Sequence, residues 1–329
     1  MILPILGALE RACPWLSYFH LENPVFHVPR FMAAAGVRRL LGEVPSLWRR
    51  FDPTNQPAIE EFLKTHGIDL VINLRNEDMK NDDRWSSFRA RLEGSVEFWD
   101  LTEIGPRDGA EHITDRIVSL LRLKGLGISD VDNHFLRREF RPALPAGPVS
   151  VGLALGSQKA VKRWATSAWI ELGRSLLQLP NLTLELVVDR DPEEVQNAHS
   201  VARALTTPGQ DERLVLREGL ALDDLATCLG RLSVLVANDS GLVHLATALD
   251  LPTVGMYFAT DAQVWSGRAS KFLAVQSQFF YQCPERKHEA GNCNRYDSGC
   301  PAPCKDEVGP QRVLRALSSV VAELSGAAG

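Results

Sequence analysis

Near-continuous apolar runs, each followed by a segment of helical period, constrain this chain more than any other feature. Val149-Ser150-Val151-Gly152-Leu153-Ala154-Leu155 and Leu232-Ser233-Val234-Leu235-Val236-Ala237 carry almost no alternation of apolar and polar residues. A strand of that kind must be covered on both faces, as in a parallel sheet. After the first run, Trp164, Ala168, Leu172, Leu176 and Leu179 recur at the spacing of one helix face. The alternation then continues. Leu182 to Val188 reads as a strand, and a helix opens near Pro192, where proline suits the first turn. A short strand at Leu214-Val215-Leu216 precedes a helix over Asp223 to Leu229, whose acidic start suits the helix dipole. Gly241 to Leu249 is a further helix and Thr253 to Tyr257 a further strand. Strands alternating with helices imply a doubly covered parallel sheet.

The first half is less regular. Asp69 to Leu74 and Val96 to Leu101 read as strands and Ile113 to Leu123 as a helix, while Phe19 to Arg50 is interrupted by Pro24, Pro29 and Pro45. The chain has 329 residues, more than one core usually supports. The stretch Arg141-Pro142-Ala143-Leu144-Pro145-Ala146-Gly147-Pro148 disfavours regular structure and marks a boundary. The expectation is an α/β chain of two Rossmann-like domains, 1–145 and 146–329. The last helix, about Gln311 to Leu324, carries Val313, Leu314, Leu317, Val320, Val321 and Leu324 as its apolar stripe.

Composition excludes some functions. The net charge is −5, so the chain does not read as a binder of nucleic acid through phosphate contacts. No segment approaches the roughly 20 apolar residues that span a bilayer. Met1 to Leu9 is apolar but lacks a basic start, and Glu10 and Arg11 follow at once, so it does not read as a signal peptide. A cytoplasmic location follows, in which the six cysteines stay reduced.

Two strand-to-helix junctions carry the chemistry. In Ala237-Asn238-Asp239-Ser240-Gly241-Leu242-Val243-His244-Leu245-Ala246, a buried strand ends, a small polar turn follows and a helix begins. Ligands of open parallel sheets bind beyond the carboxyl ends of strands, and the free N–H groups of a new helix suit a diphosphate. Asp239 or Ser240 as a plain N-cap fits the same residues, and both roles can coincide. In Leu155-Gly156-Ser157-Gln158-Lys159-Ala160-Val161-Lys162-Arg163-Trp164, Gly156 and Ser157 suit a turn, and Lys159, Lys162 and Arg163 bring cations to the same edge. A solvated basic loop is the alternative.

Taken together, these stretches resemble glycosyltransferase family 9, the heptosyltransferases. The resemblance lies in Gly156-Ser157 followed by Lys162-Arg163-Trp164, then about 75 residues later Asn238-Asp239-Ser240-Gly241 with His244-Leu245-Ala246. It continues through Leu251-Pro252-Thr253-Val254-Gly255-Met256-Tyr257-Phe258 to Thr260 and Trp265, and covers about residues 149–320. It implies a GT-B fold, with the two domains facing across a cleft and the last helix crossing back to the N-terminal domain. It implies inverting transfer, without a catalytic metal, from a nucleotide-diphosphate sugar such as ADP-heptose. The acceptor would be a lipopolysaccharide core or another bacterial surface glycolipid or protein. The setting would be the cytoplasm, at the inner face of the inner membrane, reached by peripheral contact. By the same resemblance, Ser157 and Lys162 hold donor phosphates. Asp239, Ser240, Gly241 and His244 form the diphosphate and donor-sugar end of the site, with Thr260 beside it. His244, one helical turn in, reads equally as a packed structural histidine.

The beginning of the chain departs from the family pattern. Pro4, Ala8-Leu9 and Pro14 resemble the family's first helix and its exit. The family's preceding strand and Gly-Asp loop, with the aspartate proposed as general base, would lie before Met1. The expectation is that this chain binds a sugar nucleotide but transfers sugar poorly, and the catalytic residue is left unknown. Glu10, Asp100 and Glu103 are other carboxylates among which the sequence does not choose. A family member acting only as a nucleotide-sugar-binding or partner protein is the alternative reading. A dinucleotide-dependent oxidoreductase is disfavoured, since no Gly-x-Gly-x-x-Gly follows a strand.

Four cysteines, Cys283, Cys293, Cys300 and Cys304, crowd a segment rich in Gly, Pro, Asn and charge. Four thiolates suit a tetrahedral structural zinc or iron, although no C-x2-C pair is present. Relatives that glycosylate autotransporters have a cysteine-rich segment here, and iron is associated with that branch. Four reduced surface thiols are the other reading. Cys13 and Cys228 fall on apolar helix faces and read as packing residues.

Overall fold

The computed structural model describes residues 3–13, 19–21, 29–37, 40–43, 56–73, 83–105, 111–129, 131–141, 147–206, 211–284, 286–287, 292–293, 300 and 302–326. The chain divides into two compact units, Ile2–Asp132 and Asn133–Gly329.

In the first unit the elements run α1 (Leu3–Ala12), β1 (Phe19–Leu21), α2 (Pro29–Ala35), β2 (Leu40–Glu43), α3 (Gln56–Thr65), β3 (Leu70–Asn73), α4 (Asp83–Arg91), β4 (Glu97–Asp100) and α5 (Ile113–Leu123). Among the described residues the strands form two parallel pairs, β1 with β2 and β3 with β4. Ile59, Leu63, Trp85, Phe88 and Phe98 pack into one core cluster, with Trp85 edge-on to Phe98. The strands and helix expected at Asp69–Leu74, Val96–Leu101 and Ile113–Leu123 are all present.

The second unit opens with α6 (Arg137–Phe140) and continues β5 (Val149–Ala154), α7 (Thr166–Leu177), β6 (Leu182–Val188), α8 (Pro192–Leu205), β7 (Leu214–Glu218), α9 (Leu222–Gly230), β8 (Val234–Asn238), α10 (Gly241–Ala248) and β9 (Thr253–Tyr257). There follow α11 (Ala262–Trp265), β10 (Phe272–Gln276), α12 (Gln278–Gln282), β11 (Arg286–Lys287), β12 (Asn292–Cys293), α13 (Pro303–Asp306) and α14 (Pro310–Gly326). Six strands form one parallel sheet in the order β10-β9-β8-β5-β6-β7. From β5 the chain builds outward through β6 and β7, then returns to place β8 on the other side of β5. The carboxyl ends of β5 and β8 therefore flank the point where strand order reverses, the usual ligand position in such sheets. The central strand β8 is buried at every position, as its unbroken apolar run requires.

The division falls at 132/133, upstream of the residue 145 read from the proline-rich stretch, of which residues 142–146 lie outside the described ones. The cause is tertiary. Leu136 N–H donates to Ala248 O at 2.9 Å, Arg137 pairs with Asp250 at 2.8 Å, and a Cβ on Gly230 would fall 1.8 Å from Phe140 O. Residues 133–140 are thus bonded into the C-terminal unit before the prolines begin. Helix α14 lies against α7 and strands β8, β9 and β10, with Val313, Leu317 and Val320 inside the C-terminal core.

That packing gives a test. Leu317 is 2% exposed, and Leu317→Ala should lower unfolding free energy by about 2–5 kcal/mol, as for other buried leucines. A denaturant titration showing a loss below about 1 kcal/mol would put the stripe outside the core.

Candidate functional site

Both junctions lie at the switch point, and one side chain joins them. Asp239 follows β8 and is 4% exposed. Its Oδ2 stands 2.6 Å from Lys162 Nζ and accepts the Thr260 hydroxyl at 2.5 Å. Its own N–H donates to Met256 O, and its carbonyl accepts the Ser157 hydroxyl at 2.9 Å. A buried carboxylate needs a matched charge and hydrogen bonds, and Lys162 and Thr260 bring both to Oδ2. Ser157, Lys162, Asp239 and Thr260, far apart in sequence, are therefore one bonded cluster. Ser240 and Gly241 continue it into α10.

Two expectations are sharpened here. Ser240 is the N-cap of α10, accepting from Leu242 N–H, a bond that leaves its own hydroxyl proton unused. A Cβ at Gly241 would meet nothing within 4 Å among the described residues, so the helix start is open to close approach. His244 lies one turn further on and is half-buried.

The cations divide. Lys162 points to Asp239, and its side chain is 14% exposed. Arg163 turns away to the acidic start of α8, 2.6 Å from Glu193 and 3.2 Å from Glu194, and donates to Ser157 O. It builds the loop and is not a second cation beside Lys162.

Sequence reading missed two buried side chains that shape this loop. Glu194 Oε1 accepts Ser157 N–H at 2.9 Å, and its carboxylate lies so close under Gly156 that a Cβ there would fall 2.1 Å from Oε2. Both donors of Ser157 are thus engaged within the protein. Burial pushes the Glu194 carboxyl above its ordinary value, against the lowering effects of Arg163 and the Ser157 N–H. The other residue is Asn238, wholly buried, whose amide oxygen accepts Trp164 N–H and whose amide nitrogen donates to Leu155 O. The acidic start of α8 (Asp191 at its N-cap, then Glu193 and Glu194) and the Asn before Asp239 were the available signals, but the Ser157 partner of Glu194 and the partners of Asn238 are 37 and more residues away.

The three other carboxylates do not stand out as bases. Asp100, 1% exposed at the end of β4, accepts from Asn73 at 2.6 Å, from Trp85 at 3.2 Å and from Arg89 in an ion pair. Burial works to raise the Glu103 carboxyl, but the Lys124 contact at 2.7 Å and the Asp100 N–H outweigh it and hold it below its ordinary value. Glu10 is buried in α1.

The cysteine-rich segment is fastened to the same sheet edge. Cys293 N–H donates to Ala259 O, one residue before Thr260, and Lys305 Nζ donates to Ala160 O in the lysine loop. Burial pushes the Cys304 thiol up to about 11, and nearby Cys293, Cys300 and Cys283 push the same way. The four thiols are neighbours, yet among the described residues no three histidine, cysteine or acidic side chains are arranged to hold a metal ion. Cys13 is fully buried, whereas Cys228 is half-buried with its sulfur 3.5 Å from Glu185 Oε2, so only the first is a plain packing residue. No helix among the described residues is long and apolar enough to cross a membrane.

The model of glycosyltransferase family 9 (heptosyltransferase) matches residues 123–293. No sequence among the curated proteins matches the chain. Among solved structures, the E. coli heptosyltransferase WaaC with ADP-2-deoxy-2-fluoro heptose superposes with a TM-score of 0.61 at 17% identity, over 97% of this chain and 95% of that one. A glycosyl transferase of family 9 from Veillonella parvula gives 0.65 at 16%, over 98% and 93%. The E. coli ADP-heptose lipopolysaccharide heptosyltransferase II gives 0.56 at 15%, over 98% and 96%. At these identities the likeness establishes the fold, which is α/β and of the GT-B class.

The buried Glu194 makes a pH-dependent prediction. Its carboxyl is raised in the folded state, so its contribution to stability is fully present below its unfolded value and lost as pH rises through its folded value. Glu194→Gln keeps an acceptor for Ser157 N–H and removes that loss. The stability of the variant relative to the parent should therefore rise from acid to neutral pH, as read by thermal melts across the range. A difference independent of pH would place Glu194 in contact with water.

Proposed function

The chain belongs to glycosyltransferase family 9 (heptosyltransferase), and from that premise we propose that it transfers a sugar, with inversion, from an ADP-heptose-like donor. The acceptor in this reading is a lipopolysaccharide core or another bacterial surface glycolipid or protein. Such an acceptor places the reaction in the cytoplasm, at the inner face of the inner membrane. The observation that carries the reading is the Lys162–Asp239–Thr260 cluster beside the open N-terminus of α10 at the switch point. The solved WaaC with a fluorinated ADP-heptose supports the choice of donor class.

In transfer, the nucleoside diphosphate departs with growing negative charge on its terminal oxygen. Lys162 supplies a flexible cation for that charge, and the first turn of α10 supplies its dipole and amides. Ser240 can donate its hydroxyl while still capping the helix. Asp239 keeps Lys162 in place before the donor arrives, and Thr260 keeps Asp239 in place. A carboxylate beside a diphosphate would otherwise repel it, so Asp239 serves by accepting from Lys162, Thr260 and sugar hydroxyls. In this reading His244, one turn into α10, is a donor-sugar contact. Ser157 acts by building the loop, since its N–H and hydroxyl are bonded to Glu194 and Asp239. No catalytic base is assigned, and no metal takes part in the transfer step.

A zinc or iron at Cys283, Cys293, Cys300 and Cys304 is the structural part of the proposal. Its support is the shared neighbourhood of the four thiols at Cys304. As arranged they are not a ligand set, so binding would draw them together and deprotonate them.

Two measurements test this reading. Lys162→Ala should weaken binding of ADP or an ADP-sugar by about 1.5–3 kcal/mol, the range for a hydrogen bond to a charged group. Ser240→Ala should cost less, and Arg190→Ala, whose guanidinium is tied to Gly219 O, should change nothing. Unaltered affinity in Lys162→Ala refutes the donor site. Separately, elemental analysis of protein purified without chelator should find about one zinc or iron per chain, with zinc–sulfur distances near roughly 2.3 Å if it is zinc. Metal-free protein with four freely titratable thiols rejects the metal.

A further inference from the structure

We propose that Asn238 is a positioning residue that clamps the lysine loop at both ends and so fixes where Lys162 can reach. The proposal rests on the donor-site reading above.

The loop runs over residues 156–163, between Leu155 at the end of β5 and Trp164 before α7. Asn238 Nδ2 donates to Leu155 O at 2.7 Å, and Asn238 Oδ1 accepts Trp164 N–H at 3.1 Å. One planar amide thus ties the entry of the loop to its exit. The side chain is 0% exposed, so neither bond competes with water. The position needs one donor and one acceptor on a short rigid fork. Aspartate lacks the donor, and leucine would leave a buried carbonyl and a buried N–H without partners.

Trp164 is then held from three sides. Its backbone N–H is on Asn238, its Nε1 donates to Val308 O at 2.8 Å, and its ring stands edge-on to Trp169. Lys162 is two residues away, inside a tight turn where its N–H donates to Lys159 O. The lysine therefore starts from a fixed backbone point, and its reach to Asp239 follows from it. Asn238 immediately precedes Asp239, so the clamp also holds the two junctions in register with each other. Freed from it, the loop would have to be ordered when the diphosphate binds, and that entropy would be subtracted from affinity. Asn238 itself is sealed under the loop and acts only through it.

The test compares ADP with adenosine, because only ADP uses the phosphate loop. Binding of each is titrated with the full chain for the parent, Asn238→Ser, Lys162→Ala and the double variant, after thermal melts confirm folding. Asn238→Ser should weaken ADP by about tenfold, the scale of one buried hydrogen bond, and adenosine by less than about twofold. In the Lys162→Ala background the same substitution should have little further effect on ADP, since the two residues act in series. Equal weakening of ADP and adenosine would show a general packing role and overturn the proposal. So would full additivity with Lys162→Ala. Should Asn238→Ser not fold, amide hydrogen exchange on the parent protein decides. The Trp164 N–H should be protected without ligand, and fast exchange there overturns the clamp. A parent chain that binds neither ADP nor any other nucleoside diphosphate overturns the donor reading itself, and the clamp's role with it.

Discussion

The buried charge of Asp239 is the constraint around which the C-terminal sheet edge is organised. A carboxylate removed from water has to be matched where it stands, or it neutralises or destabilises the fold. Lys162 matches it at 2.6 Å and Thr260 donates to the same oxygen. Those partners come from the ends of β5 and β9, so satisfying one side chain after β8 fixes three loops relative to each other. The same pairing keeps a cation ready at the mouth of a helix dipole, which is what a departing diphosphate requires. Under the proposed donor reading, stability and binding chemistry share one electrostatic arrangement.

Topology makes that arrangement available. In the order β10-β9-β8-β5-β6-β7, the loops after β5 and β8 leave neighbouring strands toward opposite sides. The gap between them admits a ligand without disturbing the ladder. The loop after β5 is long and polar, and loops of this kind are normally mobile. Here it is fastened by Asn238 at its base, by Glu194 beneath Ser157 and by Arg163 to the start of α8. Burial raises the Glu194 carboxyl above its ordinary value, the mark of what desolvation costs there. The fold tolerates that cost because Ser157 N–H and Arg163 both bond it.

The N-terminal unit offers an instructive contrast. Asp100 is as buried as Asp239 and also lies at the carboxyl end of a parallel strand. Yet Asn73, Trp85 and Arg89 converge on it, and its backbone N–H is held by Glu103. It reads as a structural hub that joins β3, α4 and β4. Burial of a carboxylate is therefore not itself a mark of chemistry. What distinguishes Asp239 is a flexible lysine and an open helix start beside it. The cysteine-rich segment belongs to the same neighbourhood through Cys293 and Lys305, although its thiols stand near one another without forming a ligand set.

Much of the C-terminal unit was legible in the sequence because its signals are local. Apolar runs bounded by turn residues mark β5, β6, β8 and β9, and helical period marks α7 and α10, whatever their neighbours. The strand β10, Phe272–Gln276, went unread, since its outer half is exposed and its apolar run is short. Residues 133–140 join the C-terminal unit through bonds no local pattern shows, since His134, Leu136 and Arg137 find partners more than 100 residues away, at Arg268, Ala248 and Asp250. The apolar stripe of α14 was read correctly, but a stripe records only that a helix has a buried face. The packing on α7 and the sheet depends on which surface lies within reach. By itself, then, the sequence determined the alternation of elements and the two strand-to-helix junctions with the polar and cationic residues they carry. Tertiary structure alone decided that Lys162 faces Asp239 while Arg163 faces α8, and that Asn238 and Glu194 hold the loop. Those outcomes turn on bonds between residues 30 to 80 positions apart, which no local pattern encodes.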